Sequence, residues 1–373
     1  MNDILKEIKQ YHDKNEIDIN LKNNKLFTHI KCYSTICKAK LNEFSECFNK
    51  LFEGNYNTKN VLNVTIIENN TLFEKTNILF NDAPSKETNA IKKFNAATIT
   101  TSQAKCTKDD RFYILKCYDY FIYIFDKKQH ECYMIIKNNI KAITMVNILL
   151  LTPYLMYGEL YAVHGGLVSN GTYNILINNS SLGGKTTFAL LFASNNWNII
   201  TEETTYITKN GNVLPYNIRN YFNIRVGTYL TFKDYFIKKG ILNNEFLKME
   251  NKTNEELFDY GKKNQFSIDF DKIGKNIKFT KMEITHSIKV SIEKRKDIQI
   301  KKCSPTENVN AFLELSLAPT VLLFQELLNY NEINKEKRQE ELNNIFKNTK
   351  SFILKSNFNY KENFDYIVKN IEC

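Results

Sequence analysis

The chain has 373 residues, 43% hydrophobic and 13% aromatic, with 51 Lys+Arg against 41 Asp+Glu for a net charge of +10. That composition supplies one large core or two domains and excludes a disordered chain. The lysines are spread along the sequence and form no Arg/Lys stripe, which argues against a nucleic-acid partner.

Eight cysteines without a C-x-x-C pair signal neither a zinc knuckle nor a redox motif, and read as free thiols of a reducing cytoplasm. The opening MNDILKEIKQYHDKNE is too polar for a secretory signal, so a cytoplasmic protein is expected. Residues 1–110 are rich in Asn, Lys and Glu, with short apolar pieces such as VLNVTIIE (61–68), and are expected to form an N-terminal α+β extension. NDAPSKETNAIKK (81–93) reads as a loop. From 112 the runs FYILKCYDYFIYIF and ECYMIIK flank DKKQH and predict strands with a hairpin at 126–130. A helix is predicted from about 140 to 159. The most apolar window, AITMVNILLLTPYLMYGELYAV, is interrupted by Asn147, Pro153 and Glu159 and reads as a core helix, with no membrane partner.

Backbone freedom is concentrated next: six of the twelve glycines lie between Gly158 and Gly184. Asn170-Gly171 predicts a two-residue hairpin turn joining YAVHGGLV to YNILI, a register that sets His164 opposite Ile177. Residues 179–186 then read N-S-S-L-G-G-K-T against the phosphate-loop template G-x-x-x-x-G-K-[ST]. Asn179 replaces the opening glycine, and Asn is the residue that best tolerates a left-handed backbone in its place. A plain helix start would also explain GGKTT, but the order of buried strand (YNILI), loop and helical run (KTTFALLFAS) favours a phosphate site. Asn179, Ser180, Ser181, Leu182, Gly183, Gly184, Lys185, Thr186 and Thr187 are therefore the candidate ATP-binding residues. Lys185 would reach the β- and γ-phosphates and the Thr186 hydroxyl would serve Mg²⁺.

NWNIITEETTYI (196–207) follows as a short strand ending in Glu202 and Glu203. Adjacent strand residues face opposite ways, so only one carboxylate can meet the phosphates unless the backbone bends. One acid could accept a proton from an attacking hydroxyl while the other holds Mg²⁺. GILNNEFLKMENKTNEELFDYGKKNQF (240–266) has helical pieces among polar residues and suggests a lid or insertion over 240–275; 282–303 alternates like strands. SPTENVNAFLELSLAPTVLLFQELL (304–328) reads as a helix interrupted at Pro319.

Over about 150–325 this order of residues resembles the HPr kinase/phosphorylase family and its peptide- and small-molecule-kinase relatives. VHGGLV with His164, NSSLGGKTT, ITEETTYI with Glu202 and Glu203, and the Arg-bearing NVLPYNIRNYFNIR carry the likeness. The family's acids are usually aspartates, and Asn217 stands where a metal-binding glutamate is expected. The resemblance implies an α/β fold with a mixed sheet, a phosphoenolpyruvate carboxykinase-like P-loop kinase core over 111–373 behind the extension 1–110. It implies an ATP- and Mg²⁺-dependent kinase acting on a Ser/Thr hydroxyl of a peptide or protein, with residues 1–110 for substrate recognition. The catalytic set it implies is His164, Lys185, Glu203 as base and Arg219, with Arg225 second to Arg219, and Thr186 and Glu202 for the metal. A small-molecule kinase and a non-catalytic nucleotide sensor are the alternatives, and the family's oligomers leave homo-oligomeric assembly open.

Overall fold

Strands dominated by β-branched and aromatic residues organise both halves of the chain. The computed structural model describes residues 2–11, 16–23, 25–53, 58, 61–82, 104–108, 111–117, 119–126, 128–179, 184–274, 281–293, 297–308, 335–357, 361 and 364–372. They form a mixed α/β protein of two compact units, dividing between Leu160 and Tyr161.

The first unit holds helix α1 (Asn2–Lys9), strands β1 (Ile17–Lys22) and β2 (Phe27–Tyr33), α2 (Thr35–Leu51), β3 (Val61–Glu68) and α3 (Asn70–Asp82). It continues with β4 (Ala104–Lys108), β5 (Phe112–Cys117), β6 (Phe121–Asp126), β7 (Glu131–Ile136) and α4 (Ile140–Met156). A 7-stranded sheet runs β1-β2-β3-β7-β6-β5-β4, with β3 parallel to both β2 and β7. One face carries Ile67, Ile122, Ile124 and Ile135 onto Ile4, Leu5 and Ile8 of α1 and Leu72 and Phe73 of α3. The division expected at residue 110 lies instead at Leu160, because β5–β7 extend the sheet that β1–β3 begin. At the β1 edge the Asn49 side chain of α2 donates to Asn20 O (2.8 Å) and accepts from Lys22 N (3.0 Å). Helix α4 contains Pro153 and agrees with the core-helix reading; among the described residues no helix is long and apolar enough to cross a membrane.

The second unit begins with β8 (Leu160–Val163), β9 (Gly166–Ser169), β10 (Asn174–Asn178), α5 (Lys185–Ser194), β11 (Asn198–Thr201), β12 (Thr205–Thr208), β13 (Val213–Leu214) and β14 (Tyr221–Arg225). There follow α6 (Val226–Thr231), α7 (Lys233–Lys238), α8 (Asn244–Leu247), α9 (Asn254–Lys263), β15 (Gln265–Asp269), β16 (His286–Ile292), β17 (Gln299–Cys303), α10 (Lys335–Phe346), β18 (Lys350–Ser356) and α11 (Phe364–Glu372). Its main sheet runs β11-β9-β10-β16-β18-β17, with β10 antiparallel to β9 and parallel to β16. Alternation sorts the side chains: Ile175, Ile177 and Val168 face α5, whereas Leu176 and Leu167 face a second cluster with Val163, Ile200 and Ile207. Helix α5 is apolar on every side and buried from Thr187 to Ala193, as an all-round hydrophobic helix must be.

One expectation is corrected. The turn is centred one residue further on, at Gly171-Thr172: Asn170 N donates to Tyr173 O at 3.2 Å and Asn170 Oδ1 accepts the Thr172 and Tyr173 N–H groups at 3.0 and 2.8 Å, so β9 and β10 pair with Ser169 opposite Asn174. Gly166, and not His164, therefore lies opposite Ile177. The segment from 240, expected as a lid or insertion, packs on the core of its unit. Ile241, Phe246, Ile268, Phe270 and Ile273 are buried in the cluster that holds α5. The expected helix start at Ser304 is present as a reciprocal cap with Glu307, while 309–328 lie outside the described residues, as do 83–93 of the expected loop.

Candidate functional site

The site lies in the second unit, where β10 runs toward α5. Of the nine expected loop residues, Asn179, Gly184, Lys185, Thr186 and Thr187 are described; Ser180, Ser181, Leu182 and Gly183 lie outside the described residues. Gly184 precedes α5 with φ 96°, a left-handed backbone that glycine adopts freely, and it caps the helix without a side-chain hydrogen bond. Glycine is required on a second count, since a Cβ there would come within 2.9 Å of Ile292 Cδ1. The positive pole of α5 thus opens toward the loop.

Asn179 does not serve as a left-handed substitute for glycine, because the left-handed non-glycine residues among those described are His130 and Asn196. Its side-chain amide instead donates to Val290 O on β16, anchoring the loop's first residue, and its carbonyl accepts Lys185 Nζ at 2.9 Å. Burial lowers the Lys185 pKa, while Glu203 and Glu202 act against that by holding the charge.

The acids are set by a bend after β11. Pairing with β9 shifts register between Ile199 and Thr201, and the hydroxyls of Thr201 and Thr205 take over. Leu167 N donates to Thr201 Oγ1 (3.0 Å), Thr201 lies 2.7 Å from Thr205 Oγ1, and Thr205 donates to Gly165 O (2.8 Å). Gly166 admits this close approach: a Cβ there would stand 2.6 Å from Glu202 O. The bend removes the alternation that would have parted the two acids, so both reach one arginine. Arg219 forms an ion pair with Glu203 and lies 3.9 Å from Glu202 Oε2.

Glu202 Oε1 accepts the Thr186 hydroxyl at 3.0 Å. Its Oε2 is buried and accepts no hydrogen bond among the described residues. Burial, reinforced by the Glu203 charge, pushes the Glu202 carboxyl up to about 7. Such a carboxylate near pH 7 calls for a proton or a cation. Thr186 and Glu202 offer the hard oxygens that Mg²⁺ prefers, and Mg²⁺ sites of this type take few protein ligands beside phosphate and water. Among the described residues no group of three or more His, Cys, Asp or Glu could hold a metal by itself.

His164 sits half-buried between β8 and β9, and its pKa is pushed down to about 3 by burial and by the Lys185 and Arg219 charges. It is neutral at physiological pH and keeps one donor and one acceptor nitrogen. Arg225, the second-choice arginine, is turned elsewhere: Nη1 donates to Gly261 O at 2.7 Å, tying β14 to α9. Two contributors were not legible as such. Tyr221 places its ring 5.9 Å from the Arg219 guanidinium, and Asn217 is hydrogen-bonded to both arms of the acid–arginine cluster. The spacing N-x-R-x-Y in YNIRNY is the signal that could have raised them together.

The arrangement presents a helix N-terminus, two cationic side chains, a hydroxyl–carboxylate pair and a second carboxylate within one small region. It can neutralise a polyphosphate and hold a hard cation beside a base. No protein-family model matches the chain, and no curated protein matches it.

Proposed function

We propose that the second unit is a P-loop phosphotransferase of the phosphoenolpyruvate carboxykinase-like, HPr-kinase-like type, moving the γ-phosphoryl group of ATP to a Ser/Thr hydroxyl of a peptide or protein. The observation that carries this reading is the 3.0 Å hydrogen bond from Thr186 at the start of α5 to Glu202 beyond β11. A plain helix start needs no such partner, whereas a hydroxyl and a carboxylate joined in this way are the two groups that would share Mg²⁺. That ion, when bound, would neutralise charge on the β- and γ-phosphates.

In this reading Lys185 leaves the Asn179 carbonyl for the phosphates, and Arg219 exchanges part of its hold on Glu203 for γ-phosphate oxygens. Glu203, released, accepts the hydroxyl proton as the acceptor oxygen bonds to phosphorus and the bond to the ADP oxygen breaks. Neutral His164 donates a hydrogen bond to the phosphoryl group or to the acid pair without adding charge.

Purified protein incubated with MgATP and Ser/Thr-containing peptides should release ADP and yield a phosphopeptide detectable by mass spectrometry. Lys185→Ala should abolish both. Nucleotide binding without transfer to any peptide, amino acid or sugar would replace the kinase with a nucleotide sensor.

A further inference from the structure

The stretch 215–220 joins β13 to β14 and is held at both ends: Tyr216 N donates to Leu214 O at 2.8 Å, and Asn220 O accepts Phe270 N at 3.0 Å. Asn217, in its middle, is 7% exposed. Its Oδ1 accepts the Glu202 N–H at 3.1 Å and its Nδ2 donates to the Arg219 carbonyl. A backbone N–H can only donate and a carbonyl can only accept, so these partners fix which way the amide is turned. They also fix the residue type. Asp can accept from Glu202 but cannot donate to Arg219 when ionised, and Ala does neither.

We infer that Asn217 is a positioning residue that sets the acid pair and Arg219 in register with the phosphate loop. It joins the segment bearing Glu202, the partner of Thr186, to the segment bearing Arg219, the partner of Glu203. Each of its two bonds holds one function. The bond to the Glu202 amide holds the carboxylate on the Thr186 hydroxyl, and therefore the cation. The bond to the Arg219 carbonyl holds the guanidinium on Glu203, and therefore the base. The inference rests on the phosphotransferase reading and adds a division of labour to it: a carboxylate at 217 would serve the cation alone, whereas a carboxamide serves both halves of the site.

The test separates the two bonds. Binding of a non-hydrolysable ATP analogue is measured by calorimetry across a Mg²⁺ series, ADP release is followed with water as acceptor, and exchange of the Glu202 amide is followed by hydrogen-exchange mass spectrometry. Asn217→Ala should unprotect the Glu202 amide, raise the Mg²⁺ half-saturation about tenfold or more and slow ADP release about a hundredfold, the scale of a misplaced reacting group. Affinity for the analogue without Mg²⁺ should stay within about threefold, because the loop and Lys185 are untouched. Asn217→Asp should keep the amide protection and the Mg²⁺ half-saturation but slow ADP release to a similar degree. Wild-type protection, Mg²⁺ dependence and rate in Asn217→Ala would overturn the inference. So would parallel loss of every reading, Mg²⁺-free binding included, in both variants, which is the behaviour of a residue needed only for folding. A wild-type protein that binds the Mg²⁺ complex but releases no ADP to water leaves the amide protection and the Mg²⁺ dependence to decide the inference, the kinase being decided by the peptide assay; one that binds no nucleotide overturns both.

Discussion

Asn179 and Lys185 show how one residue can be chosen for its side chain where the motif would ask for a missing one. Asn179 ties the loop's start to β16 and offers its carbonyl to Lys185, which holds the ammonium at the proposed phosphate site. Lys185→Ala should therefore weaken ATP binding about 10- to 100-fold, the worth of one or two charge-assisted hydrogen bonds, as titration calorimetry can measure. Glu203→Gln should leave binding within about threefold and remove transfer; full activity would reassign the base. His164 gives a pH-dependent signature. It is neutral in the folded protein down to about pH 3, whereas in the unfolded chain it takes a proton near 6.5, so the unfolded state binds the extra proton between those values. Wild-type stability should fall relative to His164→Gln as pH drops from 6.5, by at most about 1.4 kcal/mol per pH unit, in urea titrations at a series of pH values. Equal slopes for the two proteins would mean that His164 is not held neutral.

Among the elements, α5 and the β5–β7 meander were legible because a single pattern decides them: KTTFALLFAS has no residue that breaks a helix, and DKKQH separates two aromatic strands. The β9–β10 register was not, because the Asn170 carboxamide engages two backbone N–H groups and moves the tight turn one residue along, to Gly171-Thr172. The stretch from 240 to 266 was not legible in its packing, for a different reason. Its polar residues outnumber the aromatic ones, but Phe246, Tyr260 and Phe266 pack with Tyr229 edge-to-face or through each other, and a few large rings suffice to hold an element on a core. The bend carrying Glu202 and Glu203 depends on a glycine of the neighbouring strand β9. Gly166→Ala should force Glu202 O aside, cost about 1–3 kcal/mol in chemical denaturation and impair the Mg²⁺-dependent activity more than Mg²⁺-free nucleotide binding. Gly184→Ala meets both a left-handed backbone and Ile292, and should cost a similar amount while weakening binding with and without Mg²⁺.

At the scale of the molecule, every residue assigned to the site falls between His164 and Tyr221, within one compact unit, although the chain builds a separate core before it. Differential scanning calorimetry should show two transitions of which MgATP raises only one; at a hundred times the dissociation constant the ligand adds about 2.7 kcal/mol to the unit that binds it. An unshifted thermogram, or a shift that survives Lys185→Ala, would contradict the placement. The residue types of the site could be read from the chain, but their meeting could not, since Thr186, Glu202 and Arg219 converge through a bulge, a pair of threonine hydroxyls and an asparagine clip that leave no periodic trace. The first unit holds a feature of another kind at the rim of its sheet. A bare rim is a template on which any extended segment, from a substrate or from a misfolded neighbour, can lay down one more strand. Asn49 presents an amide to Asn20 and Lys22 in the way such a guest would present a peptide group, so that place is already taken by the protein itself. Recognition of an acceptor by strand addition at that point of β1 would first have to evict Asn49, and the same side chain shields two backbone groups there from recruitment into aggregates.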